Sequence, residues 1–367
     1  MQDPLQLLVD DVKRRQLDAV RVELPGMFDA RPARVSAATA KALSILNRLA
    51  NQHSATNAFV TQLVGLAEND ARFAFLRAIP DAPVLSMMRA LALEQAAFGE
   101  RTDAVAELAL LMGLFTVLLD GLLDEAPEEF APIAPWLDDV MIEQGWATGN
   151  RQPHALAADG GLHPIADLTV WLAAEAIRQI VASQGWTDPT VRAEFRRASH
   201  AAFTAEIRSA EVRISAGATP EARRHIVEKS TTCIWAGALL PFCVHGWPPG
   251  MAPRQFERFT CAVGTYGGWI DDIVDILVDA RADRWSSVLL ELDDGARSLG
   301  IRGAADARLA RALCTPFLTA RLPAAGRERL RSVRAELQLL PLPEDALLSA
   351  LADMTYSCLS DDLAAAS

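Results

Sequence analysis

The chain has 367 residues, 51% of them hydrophobic, with a formal net charge of −12 and a pI near 5.0; that is enough apolar material for one large core or two ordinary ones. The charge argues against a nucleic-acid partner, which needs a basic stripe, and it requires any anionic ligand to be held through a metal ion. The five cysteines, Cys233, Cys243, Cys261, Cys314 and Cys358, are odd in number, widely spaced and set in apolar runs, which fits buried thiols in a reducing cytoplasm and not disulfides or a zinc site.

Residues 1–13 carry acids and no apolar core of signal-peptide type. Apolar spacing at three and four residues then predicts helices over Ala37–Leu49, Phe59–Leu66, Leu85–Ala97, Ala104–Leu123, Leu168–Ser183, Thr190–Ser215, Pro220–Trp235, Pro253–Ala280, Trp285–Leu299 and Glu344–Leu359. Strand alternation is nearly absent. Asp188-Pro189-Thr190 and Thr219-Pro220-Glu221 each place a capping side chain before a proline suited to the first helical position. The longest apolar run, Leu108 to Leu119, is 12 residues, short of the ~18–20 that span a bilayer, so it predicts a buried helix and no membrane span. Pro127–Pro164 and His245–Pro253 are rich in breakers and predict loops. No fixed-period repeat is present. The expectation is a single all-α domain over 1–367, with amino-terminal helices to about residue 75, a core over 80–290 and carboxy-terminal helices over 300–367.

Two acidic clusters conflict with their helices. Asp120 and Asp124 share a face at the carboxyl end of the apolar helix, where the helix dipole is already negative. Further on, Asp271, Asp272, Asp275 and Asp279 fall within roughly 100° of helical arc, with Ile273, Val274, Ile276, Leu277 and Val278 on the rest of the circle. Like charges one turn apart oppose a helix by about 0.2–0.5 kcal/mol per pair, and no Lys or Arg lies between residues 259 and 280 to relieve them. Oxygen ligands around a hard divalent ion, most simply Mg²⁺ bridging to a phosphate, would answer that need. Between the clusters, Glu206, Arg208 and Glu211 set two acids beside a base, and Lys229 is one of only three lysines, with Lys13 and Lys41. It precedes the apolar stretch Cys233–Phe242, so it stands where an acidic and an apolar surface meet. The bland alternatives are a solvated acidic face, a surface lysine, and Trp235 and Trp269 as ordinary core residues. The six histidines have no ligand spacing and read as structural.

This order of elements resembles the class I isoprenoid synthase superfamily, in its trans-prenyltransferase-like branch. Asp120-Gly121-Leu122-Leu123-Asp124 resembles the first Asp-rich motif with its second Asp replaced by Gly, and Asp271-Asp272-Ile273-Val274-Asp275 resembles the second motif intact. Lys229-Ser230, 42 residues before Asp271, resembles the Lys-Thr pair that contacts diphosphate, and Glu206 falls where a metal-proximal Gln is usual. The resemblance implies an all-α helical bundle around a central cavity. It implies three Mg²⁺ ions held by Asp120, Asp124, Asp271 and Asp275, with Glu206, Asp272 and Asp279 close to metal, and diphosphate bound by Lys229 and Arg208. Phe115, Thr116, Gly264, Gly267, Gly268 and Trp269 would line the cavity, Gly267 and Gly268 opening space above Asp271. The protein would be cytoplasmic, and a homodimer is allowed.

The departures point to one diphosphate site instead of two. The Gly-Lys-Arg segment before the first motif and the Arg-Arg pair after it, which bind a second diphosphate in chain-elongating members, are missing here, since Glu-Ala-Pro-Glu-Glu-Phe follows Asp124. What remains resembles a terpene synthase that ionises a linear C15 or C20 allylic diphosphate and releases a hydrocarbon or alcohol. The alternatives are a prenyltransferase, either chain-elongating or head-to-head like squalene and phytoene synthases, and a non-catalytic partner subunit of a prenyltransferase. The head-to-head reading is supported by the DxxxD spacing of Asp120/Asp124 and Asp275/Asp279, but Asp283-Arg284-Trp285-Ser286 replaces the segment expected next. Aromatic prenyl transfer has no support in the sequence.

Overall fold

The computed structural model describes residues 4–28, 31–52, 81–141 and 163–365; the helix expected over Phe59–Leu66 and part of the loop expected over Pro127–Pro164 lie outside them. Among the described residues there is no strand, as expected, and the one β feature is an isolated bridge between Arg213 and Arg284. The helices divide between two compact units, one formed by residues 30–203 and 236–250, the other by residues 1–29, 204–235 and 251–367.

The first unit contains α2 (Arg31–Gln52), α3 (Asp81–Phe98), α4 (Asp103–Glu125), α5 (Pro127–Phe130), α6 (Ala134–Met141), α7 (Pro164–Ala182), a 3₁₀ turn (Gln184–Thr187), most of α8 (Pro189–Ala210) and α10 (Leu240–His245). Its axis is α4, which packs on α3 and α7. Val105, Leu108, Leu111, Phe115, Leu118 and Leu122 bury one stripe, and Ala106, Ala109 and Gly113 bury the opposite one, as in a core helix that is apolar all round. By length and composition α4 would suit a bilayer, yet 67% of its most apolar window is buried inside the protein. It starts at Thr102, whose Oγ1 accepts from Val105 N at 3.3 Å. At Gly113 a Cβ would stand 3.0 Å from Pro83 Cα and Ser86 Cβ, so glycine permits the close α3 contact. The short helices α5 and α6 replace part of the expected loop; Pro127 serves at the start of α5.

The second unit is built around α11 (Pro253–Val274), which packs on α1 (Pro4–Glu23), α13 (Ser287–Ser298), α16 (Leu322–Leu337) and α17 (Glu344–Ala365). It also holds most of α9 (Pro220–Ala238), α12 (Ile276–Arg281), α14 (Ala305–Leu313) and α15 (Pro316–Thr319). Phe256, Phe259, Tyr266, Trp269, Ile270 and Ile273 recur at helical spacing and are buried. Inside that core the Tyr266 hydroxyl meets Thr355 Oγ1 at 2.9 Å, which satisfies both groups. The helix expected to run from Pro253 to Ala280 breaks at Asp275, which has φ −96 and ψ 10 and separates α11 from α12. The ladder survives the break, with Asp275 N donating to Asp271 O at 3.0 Å and Asp279 N to Asp275 O at 2.8 Å. Val278, expected on the core side, is 53% exposed.

Candidate active site

The α11–α12 junction separates four aspartates that the sequence puts on one stripe. Asp271 is exposed, while Asp272, Asp275 and Asp279 are half-buried. Asp272 accepts from Ser287 N at 2.6 Å and also from the Ser287 hydroxyl, so it satisfies an open amide at the start of α13. That is a structural engagement which its expected place near metal did not foresee. Burial pushes the Asp272 carboxyl up to about 6; the bonds from Ser287 and the charge of Lys229 oppose that shift, and Asp271 adds to it. Asp279 is pushed further, to about 8, first by burial and then by Asp272 and Asp275, against the pull of Arg284. Arg284 Nε lies 3.6 Å from Asp279 Oδ1, so one basic residue beyond the sequence interval 259–280 turns back to this stripe. The chain turns at Asp283, whose φ of 59 is left-handed and whose carboxylate accepts from Ser215 N at 2.9 Å and Ser215 Oγ at 2.6 Å.

Of the glycines before Asp271, Gly264 and Gly268 are closed off by a neighbouring helix. A Cβ on Gly264 would stand 2.6 Å from Ser230 O and Thr231 Cα, and one on Gly268 would collide with the Ser230 side chain. These glycines instead let α9 pack directly on α11. Gly267 is different, since its Cβ would find only Met354 Cε at 3.7 Å. Trp269, expected to line a cavity, is fully buried, with the Arg329 guanidinium 3.9 Å from its ring centroid; it is a core residue in a cation–π contact.

The close contact at Ser230 fixes its neighbour Lys229. Lys229 Nζ lies 3.3 Å from Glu206 Oε2, and Cys233 Sγ donates to Glu206 Oε1 at 3.0 Å. Glu206 is buried and holds a lysine and a thiol. Arg208 is exposed in the last turn of α8. The sequence reading missed Arg284, Ser287, Arg329 and Cys233. Two signals were present: Ser286-Ser287 before an apolar run is helix-start chemistry, and Cys233 follows Lys229 by one helical turn.

In the first unit, Asp120 and Asp124 are half-buried, one turn apart at the end of α4. The helix closes there with Ala126 N donating to Leu122 O at 3.1 Å. One turn earlier Phe115 is buried, and the half-buried Thr116 donates its hydroxyl to Met112 O at 2.9 Å. No Lys or Arg occurs between Arg101 and Arg151.

Among the described residues, no three His, Cys, Asp or Glu side chains are gathered into a ready metal cage. The donor chemistry nevertheless suits Mg²⁺. Asp271, Asp275 and Asp279 offer only oxygen, and Asp272, Asp275 and Asp271 add to the burial that pushes Asp279 toward protonation, a repulsion that a hard cation would remove.

No family model and no curated protein matches the chain. Solved structures do. A decaprenyl diphosphate synthase from Rhodobacter capsulatus is 14% identical at a TM-score of 0.51, covering 90% of this chain and 99% of its own. The geranylgeranyl pyrophosphate synthetase of the archaeon Geoglobus acetivorans is 14% identical, with a TM-score of 0.47 and the same two coverages. The farnesyl diphosphate synthase of T. brucei is 12% identical, with a TM-score of 0.45, covering 84% of this chain and 97% of its own. The likeness to the decaprenyl diphosphate synthase shows the fold: this chain has the all-α class I isoprenoid synthase fold.

Proposed function

We propose that this protein ionises an allylic prenyl diphosphate with the help of Mg²⁺. The observation that carries this reading is the α11–α12 junction, where Asp271, Asp275 and Asp279 are spaced by single helical turns and crowd one another, with Lys229 close enough to pull on Asp272. Asp271 and Asp275 would hold the ion, Asp279 would stand beside it, and Asp272 would keep α13 in place. Mg²⁺, when bound, supplies the positive charge that a departing diphosphate needs. Lys229 donates N–H groups to a diphosphate oxygen and thereby stabilises the leaving group as its charge develops. The exposed Arg208 adds attraction for the same anion. Asp120 and Asp124 are proposed as metal ligands in their own right on α4, with Phe115 and Thr116 presenting apolar surface to a prenyl chain. An allylic cation survives only where water is excluded.

The charge pattern supports release of a terpene hydrocarbon or alcohol, because a second diphosphate would find no Lys or Arg between residues 101 and 151. A second reading, transfer of the prenyl group to an acceptor, is supported by the likeness to the Rhodobacter capsulatus structure, a decaprenyl diphosphate synthase by name. Product analysis over C10 to C25 diphosphates, with and without isopentenyl diphosphate, separates the two. A terpene from one substrate alone establishes the first, and a longer diphosphate formed only with isopentenyl diphosphate establishes the second. Failure to release diphosphate from any of them in Mg²⁺ overturns ionisation itself.

A further inference from the structure

Glu206 sits in the last turn of α8 with its side chain only 5% exposed, and each of its oxygens meets a different group of α9. Lys229 Nζ is 3.3 Å from Oε2, and Cys233 Sγ donates to Oε1 at 3.0 Å. Lys229 and Cys233 are four residues apart on one helix, so both face the same way. A buried carboxylate is costly unless it is paired and hydrogen-bonded, and here one oxygen receives a charge and the other a donor.

We propose that Glu206 and Cys233 form a positioning pair for Lys229, with Glu206 anchoring the ammonium and the Cys233 thiol fixing the carboxylate that anchors it. The proposal rests on the reading of Lys229 as a diphosphate ligand. A lysine is a point charge on a flexible four-carbon stem, and it loses rotamer freedom when it binds an anion. Glu206 imposes much of that loss before the anion arrives, while a third of the Lys229 side chain stays exposed. The ammonium has three N–H groups, so an ion pair with Glu206 leaves it capable of donating to a diphosphate oxygen as well. Ser230, lodged against Gly268, fixes the backbone beside Lys229 from the other side. The trio is balanced in charge as long as the thiol keeps its proton: one positive ammonium, one negative carboxylate and a neutral donor.

Two measurements on the full chain test this. In the first, inorganic pyrophosphate is titrated calorimetrically in Mg²⁺. Glu206→Gln and Lys229→Ala each weaken binding about tenfold, as expected for loss of a charge-assisted contact, and the double variant is no weaker than Lys229→Ala, because Glu206 acts only through Lys229. Cys233→Ser, which keeps a donor, retains binding, and Cys233→Ala weakens it about threefold. Multiplicative losses in the double variant overturn the proposal, as does reduced Mg²⁺ binding by Glu206→Gln without pyrophosphate, which would make Glu206 a metal ligand.

The second measurement needs no ligand. With only Lys13, Lys41 and Lys229 in the chain, acylation by an activated ester is followed at each lysine by mass spectrometry. Glu206→Gln speeds reaction at Lys229 about tenfold relative to Lys41, since an amide no longer holds the ammonium in its charged form. An unchanged rate overturns the positioning role, whatever pyrophosphate does. A wild-type protein that protects Lys229 yet binds no pyrophosphate overturns the diphosphate reading alone. If Glu206→Gln does not fold, Glu206→Asp, which withdraws the charge by one methylene, carries the same comparison.

Discussion

Glu94 in the first unit and Asp279 in the second are both carboxylates taken largely out of water, and the protein treats them in opposite ways. Glu94 is wholly buried and accepts from Thr102 N at 2.9 Å and Thr102 Oγ1 at 2.6 Å, with His245 Nε2 at 2.8 Å. The same imidazole packs 4.6 Å from the Phe98 ring and turns Nδ1 toward Glu100 Oε1 at 3.5 Å. These contacts tie the end of α3 to the start of α4 and to the last residue of α10. Asp279 instead meets a single guanidinium, at 3.6 Å, and feels Asp272, Asp275 and Asp271. A carboxylate with short, directed donors is a structural element. A carboxylate buried among other carboxylates is held toward its protonated form, and a cation that comes to it restores its charge.

The largest expected effect tests the second half of that contrast. Asp275→Ala and Asp271→Ala should each lower Mg²⁺-dependent diphosphate release at least about a hundredfold, the scale on which loss of electrostatic stabilisation at a reacting centre is felt, with helical circular dichroism unchanged. Asp120→Ala should do the same if α4 also ligates metal. Unchanged turnover in any one of them would reduce that carboxylate to surface decoration. The first half is tested by His245→Ala, which removes a partner from buried Glu94 and should cost on the order of 3 kcal/mol in denaturant unfolding. Its turnover per folded molecule should stay at the wild-type value. A variant that is stable but inactive would move Glu94 and His245 into the catalytic machinery and dissolve the comparison.

Acidity gives a smaller, graded effect. The Asp279 carboxyl releases its proton near 8 in the folded chain and near 4 in the unfolded one, so the folded state binds more protons between those values. Stability of the metal-free protein should therefore fall as pH rises from about 4 to 8, with Asp272 contributing only up to about 6. Mg²⁺ competes with the proton, so the stabilisation it gives should grow over the same range. Thermal melts at pH 6 and pH 8, with and without Mg²⁺, check this. Asp279→Asn should flatten the metal-free slope and raise the melting temperature at pH 8 by about 3 °C; an unaltered slope would assign the effect to another group.

Much of this contrast was legible in the sequence, for reasons that differ by residue. The stripe Asp271–Asp279 announces itself because helical spacing alone puts acids on one side of an otherwise apolar segment. The long helix α4 was equally plain from its uninterrupted apolar run. The break at Asp275 was not, because neither Pro nor Gly stands there and the backbone hydrogen bonds continue across it. Helices α1, α14 and α16 were expected only as terminal helices without bounds, because arginines and acids interrupt their apolar spacing, and the four-residue α15 is too short to show a period. Contacts distant in sequence were invisible in principle. Nothing near Glu94 foretells His245, 151 residues later, and nothing near Asp272 foretells that its carboxylate caps α13.

The smallest effect separates two uses of glycine beside the acidic stripe. If Gly267 and Gly268 both served to leave room for a substrate, alanine at either would be tolerated by the fold and would alter turnover or products alike. The packing makes them unequal. At Gly268 a Cβ would stand 2.6 Å from Ser230 Cβ and overlap its hydroxyl, whereas at Gly267 the nearest atom is the flexible Met354 Cε at 3.7 Å. Gly268→Ala should therefore cost about 1–3 kcal/mol by overpacking, and by displacing α9 it should raise the KM for diphosphate through Lys229. Gly267→Ala should be neutral or stabilise by up to about 1 kcal/mol, since alanine is the better helix former and no neighbour has to move. Equal stabilities, measured by urea unfolding, would show that α9 yields without cost and that the contact at Ser230 does not hold Lys229. A product change in Gly267→Ala alone would restore the expected role of that one glycine beside the prenyl chain.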